Sequence, residues 1–141
     1  MTLSLAQANA IIAAAFEKGQ ALGLKPLSVA VLDAGGHLLA FQRQDDSSLL
    51  RPQIAMGKAW GALALGVSSR QVSEMAAERP AFVAALGSIA SGGLIPAAGG
   101  VLVADAQQHI VGAVGVTGDT SDNDELCALH GIAAAGLRVP S

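Results

Sequence analysis

The chain has 141 residues, 52% of them hydrophobic and only 13% charged, with a formal net charge of −3. That length suits one domain, residues 1–141, around a single sizeable core. With Phe16, Phe41, Phe82 and Trp60 as its only aromatics and no basic excess, it offers no surface for a nucleic acid. So few charges also leave apolar surface uncovered, which predicts a homo-oligomer.

Ser4 caps a helix predicted over residues 5–22, with Leu5, Ala8, Ile12, Ala15 and Phe16 on one face and Gly23 as the stop. Residues 28–44 read as a β-hairpin turning at Gly35 and Gly36, where positive φ is expected at Gly35, and a polar loop follows over 45–48. Pro52 opens a helix that runs to Leu65 and stops at Gly66. It is apolar nearly all round, and Gly57 and Gly61, four apart, let another backbone approach closely on one face, which suggests tight helix packing. Ser68 or Ser69 caps a third helix over 70–78, and Pro80 starts a fourth that reaches Ala90. Residues 91–100, Gly-rich with an apolar middle, read as a fifth, irregular strand. A second hairpin over 101–117 and a polar loop over 118–124, with Ser121 or Asp122 as cap, lead into a last helix that ends near Gly136. This order has no parallel strand-helix-strand alternation, so the fold class is α+β, an antiparallel sheet flanked by helices.

One motif occurs twice. Val31-Leu32-Asp33-Ala34-Gly35-Gly36-His37-Leu38-Leu39 recurs as Val103-Ala104-Asp105-Ala106-Gln107-Gln108-His109-Ile110-Val111. Asp33 with His37, and Asp105 with His109, have the residue types of acid-base pairs. Asp also opens turns by accepting nearby backbone N–H groups, and the repeat is read first as two equivalent hairpin turns.

Two features exceed structural need. The segment from Asp119 to Glu125 concentrates four acids, more than helix capping and the helix dipole use. It is no EF-hand, because Asp124 stands where Gly is required and His130 where Glu is required. Lys58 is the only charge between Arg51 and Arg70, in an otherwise apolar helix, where an unpaired ammonium is costly. Lys58 is therefore expected to face the loop residues Asp119 and Asp124 across one ligand cleft, with Arg43 at its rim and Thr117 at its floor; Arg51 stands at the helix entry. The single Cys127 excludes an internal disulfide and a cysteine-based zinc site. No Gly-x-Ser-x-Gly elbow occurs, no apolar run approaches the ~20 residues of a membrane span, and the N-terminal residues lack a signal-peptide pattern, which places the protein in the cytoplasm.

The segments Val29 to Leu38, Ile54 to Ala59 and Val111 to Gly118, with their Asp-Ala-Gly-Gly-His-Leu and Gly-Ala-Val-Gly-Val-Thr-Gly runs, resemble the GlcG/HbpS family of haem-binding or haem-degrading domains, related to the PduO C-terminal domain. The resemblance covers nearly the whole chain. It implies a profilin-like α-β-α domain that oligomerises, and haem or a related tetrapyrrole as the ligand of some members. Other members lie beside genes for glycolate, diol or aromatic catabolism. For haem, Lys58 or Arg43 would meet the propionates, and His130, inside the last helix, is the histidine singled out for the iron. The acidic Asp119 to Glu125 loop departs from the family's Ser/Gly-rich stretch, which disfavours a propionate beside it and points to a small polar metabolite. The alternative is accordingly a catabolic enzyme acting on a small carboxylate or carbonyl compound, held by Lys58 and Arg43, with Asp124 or Asp119 as general acid or base.

Overall fold

A computed structural model describes residues 1–141. Helix α1 (Leu5–Ala21) opens with a capping box: Ser4 Oγ accepts from the Gln7 N–H, and the Gln7 side chain accepts from the Ser4 N–H. Strands β1 (Ser28–Asp33) and β2 (Leu38–Arg43) form the first hairpin. Helices α2 (Arg51–Leu65), α3 (Ser69–Glu78) and α4 (Pro80–Ile89) follow. Strands β3 (Gly100–Ala104) and β4 (Ile110–Thr117) form the second hairpin, and α5 (Ser121–Ala134) closes the chain. The four strands make one antiparallel sheet in the order β2-β1-β4-β3. The fold is α+β, as the order of elements predicts.

The sheet separates two apolar layers. Val29, Val31, Val103, Val114 and Val116 pack with Ile11 and Ile12 of α1 and Cys127, Ala128 and Ile132 of α5. On the opposite face Leu32, Leu102 and Ala113 pack with Ala59 and Ala62 of α2. Alternation along the strands sends neighbouring residues to opposite layers. Helix α2 lies close on the sheet because Gly115 presents no side chain; a Cβ there would collide with the Ala55 carbonyl. Helix α4 is scarcely covered: only Val83 is buried, and Ile89 is 79% exposed.

The structure corrects four local expectations. Residues 91–99 form no strand: they cross over α2, and only Gly99 bonds the sheet, its carbonyl accepting the Val116 N–H at 2.9 Å. A backbone does approach Gly57 and Gly61 closely, but it is that loop's and not a helix's: a Cβ on Gly57 would meet Ile95, and one on Gly61 would lie 3.3 Å from the Leu94 Cα. Positive φ in the first turn falls on Gly36, at +83°, and its counterpart Gln108 takes +67°. The cap of α5 is Thr120, whose hydroxyl accepts from the Asn123 N–H, since Ser121 and Asp122 are already helical.

Pairing of Asp33 with Gly112 and of Ser28 with Thr117 sets the ends of the sheet. Both Asp/His turns lie at one end; Ser28, Arg43 and Thr117 lie at the other. No helix is long and apolar enough to cross a membrane.

Candidate functional site

At the Ser28 end, Lys58 passes from α2 beyond the last residues of β4 to the start of α5. Its Nζ donates to the Val116 carbonyl at 2.9 Å and to Asp124 Oδ2 at 3.1 Å. Asp124 Oδ1 accepts the Asp119 N–H at 3.0 Å. Lys58 is 2% exposed and Asp124 1%. Burial pushes the Lys58 pKa down and the Asp124 pKa up, while their mutual attraction opposes both shifts. Glycine makes room for the ammonium: Gly99, at φ +128°, would bring a Cβ within 2.8 Å of Lys58 Nζ. The lone charge and the surplus loop therefore do meet, 66 residues apart in sequence. They meet as a closed ion pair sealed from solvent.

The loop's other acids are also engaged. Asp119 accepts from the Lys25 N–H at 3.1 Å, the Thr120 N–H at 2.8 Å and Asn123 Nδ2 at 2.8 Å. These donors, the Asn123 amide foremost, lower its pKa to about 2. Arg70 ties Asp122 and Glu125 to α3. Sequence reasoning had no signal for this role of Arg70 beyond its place near a helix start, because both partners lie on a distant element.

Beside the pair, Thr117 Oγ1 accepts from Arg51 Nη1 at 2.7 Å. Ser28, paired with Thr117 on one side and Arg43 on the other, is fully buried, and its hydroxyl has no hydrogen-bond partner. Arg43 is exposed on the edge strand β2, two strand spacings or about 10 Å from Thr117. Thus Lys58, Asp119, Asp124 and Thr117 converge, and Arg43 flanks them on the same end of the sheet. His130 stands apart on the exposed side of α5.

At the opposite end, Asp33 Oδ1 accepts the N–H groups of Gly35 and His37, each at 2.9 Å. The same carboxylate holds His37 Nδ1, at 3.1 Å from Oδ1 and 3.2 Å from Oδ2. These contacts, the His37 N–H first, hold Asp33 below the usual carboxylate range. Asp105 repeats the turn, accepting from Gln107 and His109 N–H groups at 2.9 and 3.0 Å, but His109 Nδ1 lies 3.4 Å from its Oδ2. The turn reading of both motifs holds, and the first is also an oriented Asp-His pair. A hollow of about 370 Å³ adjoins it, with Leu3, Leu39, Val111 and His37 among its walls.

The family model described as "Haem degrading protein HbpS-like" matches residues 3–133. Protein GlcG of Escherichia coli (strain K12) is 39% identical over 116 residues, which cover 82% of this chain and 81% of that protein. An uncharacterized 15.0 kDa protein in the dhaT-dhaS intergenic region of Citrobacter freundii is 31% identical over 127 residues, covering 86% of this chain and 88% of that one. Among solved structures, the PduOC:haem complex superposes with a TM-score of 0.88 at 26% identity over 100% of both chains. HbpS superposes with a TM-score of 0.81 at 29% identity, over 94% of this chain and 89% of its own.

Proposed function

This chain belongs to the HbpS-like family of haem-degrading proteins, and from that premise we propose that it is a small-ligand protein that binds haem or a related tetrapyrrole. The observation that carries the reading is the likeness, over the whole of both chains, to a domain solved as a haem complex. The residues present fit such a group. Haem is held by apolar contact to its ring and by a side-chain donor to its iron; His37, His109 and His130 are exposed imidazoles, and His37 borders a hollow of about 370 Å³ that Leu39 also lines. When bound, haem supplies a redox-active iron centre. The protein's part is to cover the ring, orient it and limit access of water.

The closed Lys58–Asp124 pair supports binding over catalysis. Each group satisfies the other and a backbone partner, so together they strut α2 against α5 across the end of the sheet. The test is a hemin titration followed at the Soret band. A shift that saturates at a fixed stoichiometry is expected; a shift that grows without saturation, or none, refutes the reading.

A second reading, a catabolic enzyme for a small carboxylate or carbonyl compound, draws on the other end of the sheet. There Arg43 and Arg51 flank the Ser28 and Thr117 hydroxyls, next to two groups whose pKa values burial displaces toward neutrality. In that reading Arg43 and Lys58 hold the carboxylate and Asp124 or Asp119 moves a proton, which requires the pair to open. A thermal-shift screen against small carboxylates, with Arg43→Gln as control, tests it: stabilisation lost in the variant supports it, and none in the parent refutes it.

The protein acts in this proposal as a homo-oligomer. Leu49, Leu50 and Ile89 are 87%, 61% and 79% exposed in the single chain, more apolar surface than a monomer usefully leaves in water.

A further inference from the structure

We infer that Arg51, at the start of α2, anchors the carboxylate of a small ligand, with the Ser28 hydroxyl as the second contact and the Lys58–Asp124 pair left closed. The inference rests on the reading of the protein as one that acts on a small carboxylate or carbonyl compound, and it moves the anchor from Lys58 to Arg51.

Three observations converge on Arg51. The first is its charge. Arg51 is half-buried and forms no salt bridge. Its side chain bonds only neutral hydroxyls, Nε donating to Ser48 Oγ at 3.2 Å and Nη1 to Thr117 Oγ1 at 2.7 Å. The acids of the neighbouring loop are committed elsewhere: Asp124 to Lys58, and Asp119 to the Lys25 and Thr120 N–H groups and the Asn123 amide. Burial first, and the Arg51 charge in addition, push the Lys58 pKa down, so the two cations share one neighbourhood. Two positive charges face the single negative charge of Asp124, and one bound carboxylate balances the excess.

The second is the presentation of the guanidinium. Of its five N–H donors, Ser48 takes the one on Nε and Thr117 takes one on Nη1, so the other Nη1 donor and both on Nη2 remain. The two hydroxyls fix the plane of the group, and a fixed fork is what grips a carboxylate with two parallel bonds. Helix α2 adds to the attraction. It is 15 residues long, no side chain caps its N-terminus and its first turn holds no acid, so the positive end of its dipole stands uncompensated beside Arg51.

The third is an orphaned hydroxyl. Ser28 lies directly opposite Thr117 in the β1–β4 register, which puts both side chains on the face of the sheet that Arg51 reaches. Ser28 is fully buried and its Oγ has no hydrogen-bond partner; Ser47 Oγ, in the loop that joins β2 to α2, is likewise buried without one. Unpaired buried hydroxyls are costly, and a carboxylate oxygen held by Arg51 accepts the proton that Ser28 has to donate. Approach to Ser28 runs beneath the loop 45–50, whose Asp45, Asp46, Leu49 and Leu50 are all exposed. Those two acids disfavour a doubly charged phosphate and select a singly charged carboxylate.

Sodium acetate and sodium pyruvate are the probes, with sodium chloride at matched ionic strength, sodium phosphate and hemin as comparisons. Binding is followed by thermal shift and by the Arg51 Nε–H signal in NMR, in the parent, Arg51→Lys and Ser28→Ala, with circular dichroism confirming that each folds. A saturable rise in Tm with movement of the Arg51 signal is expected for the parent, and no such rise with chloride. Arg51→Lys keeps the charge but loses the fork, and should weaken binding by at least about tenfold. Ser28→Ala should weaken it about tenfold as well, yet leave the Tm without probe unchanged or higher, because the hydroxyl it removes is unpaired. Carboxylate binding as tight in Arg51→Lys as in the parent, or binding that leaves the Arg51 signal in place, overturns the inference and leaves the small-carboxylate reading standing. A parent that neither probe stabilises beyond chloride overturns both. Phosphate bound more tightly than acetate overturns the choice of a carboxylate, and a hemin affinity that falls in Arg51→Lys overturns the small-compound source in favour of a tetrapyrrole propionate.

Discussion

Replacing Lys58 by Met tests how completely the ion pair is sealed. The substitution keeps the length and apolar stem of the side chain but removes both donors, leaving the Val116 carbonyl and the Asp124 carboxylate, 1% exposed, with one partner fewer each. Asp124 would keep only the Asp119 N–H. Breaking a buried pair from one side costs about 3–5 kcal/mol, because the remaining charge is uncompensated. For 141 residues at about 2.1 cal/mol/K of unfolding entropy each, that corresponds to a fall in Tm of about 10–17 °C. Asp124→Leu strands the ammonium and should cost a similar amount. The double variant removes both charges and leaves only two unpaired backbone groups, at about 1–3 kcal/mol each. Its loss should therefore fall short of the two single losses added together, with a coupling of about 1–3 kcal/mol in a double-mutant cycle measured by urea unfolding. If Lys58→Met costs under about 1 kcal/mol, as for an exposed pair, or if the two single losses simply add, the pair is not sealed and the reasoning fails.

Asp119 provides a pH test. Its folded pKa of about 2 lies below the ordinary 3.8, so the unfolded chain binds more protons between those values. Its contribution is complete above pH ~4 and is lost as pH falls through ~2; Asp119→Asn should be less stable than the parent at pH 7 and converge with it near pH 2 by acid unfolding curves. Gly36→Val forces a β-branched residue to φ +83° and pushes on Trp60, and should cost about 1–3 kcal/mol. Gln108→Gly relieves φ +67° but loses the acceptor for the Ser141 N–H and hydroxyl and frees the unfolded chain, so it should change stability by less than about 1 kcal/mol in thermal unfolding. Size exclusion with light scattering should give a mass that is a multiple of 14.0 kDa; a monomer at micromolar concentration removes the oligomer from the proposal.

Much of the architecture was legible because it is local. Ser4 and Ser68 cap helices by accepting from an N–H three residues on, and Pro52 and Pro80 open helices by their own fixed φ. Asp33 and Asp105 form turns with groups two and four residues away. Such interactions are written into short stretches of chain, so the number, type and order of nearly all elements follow from residue types and spacing. Residues 91–99 were misread for the complementary reason: an apolar run flanked by glycines says nothing about whether a sheet edge or a helix face will receive it, and here α2 offered Gly57 and Gly61.

The site shows the same division. The sequence by itself marked Lys58 as a charge in need of a partner, and Asp119 to Glu125 as a loop with acids to spare. Only the tertiary structure decided that the partner is Asp124, that Gly99 leaves room for the ammonium, and that the result is closed to water. It likewise decided that the two Asp/His turns share one end of the sheet, because β1 pairs with β4 and not only with its hairpin partner. The physical reason is range. Capping and turn formation are settled within a few residues, whereas the β1–β4 pairing and the Lys58–Asp124 contact join distant positions and form only when both apolar layers close on the sheet.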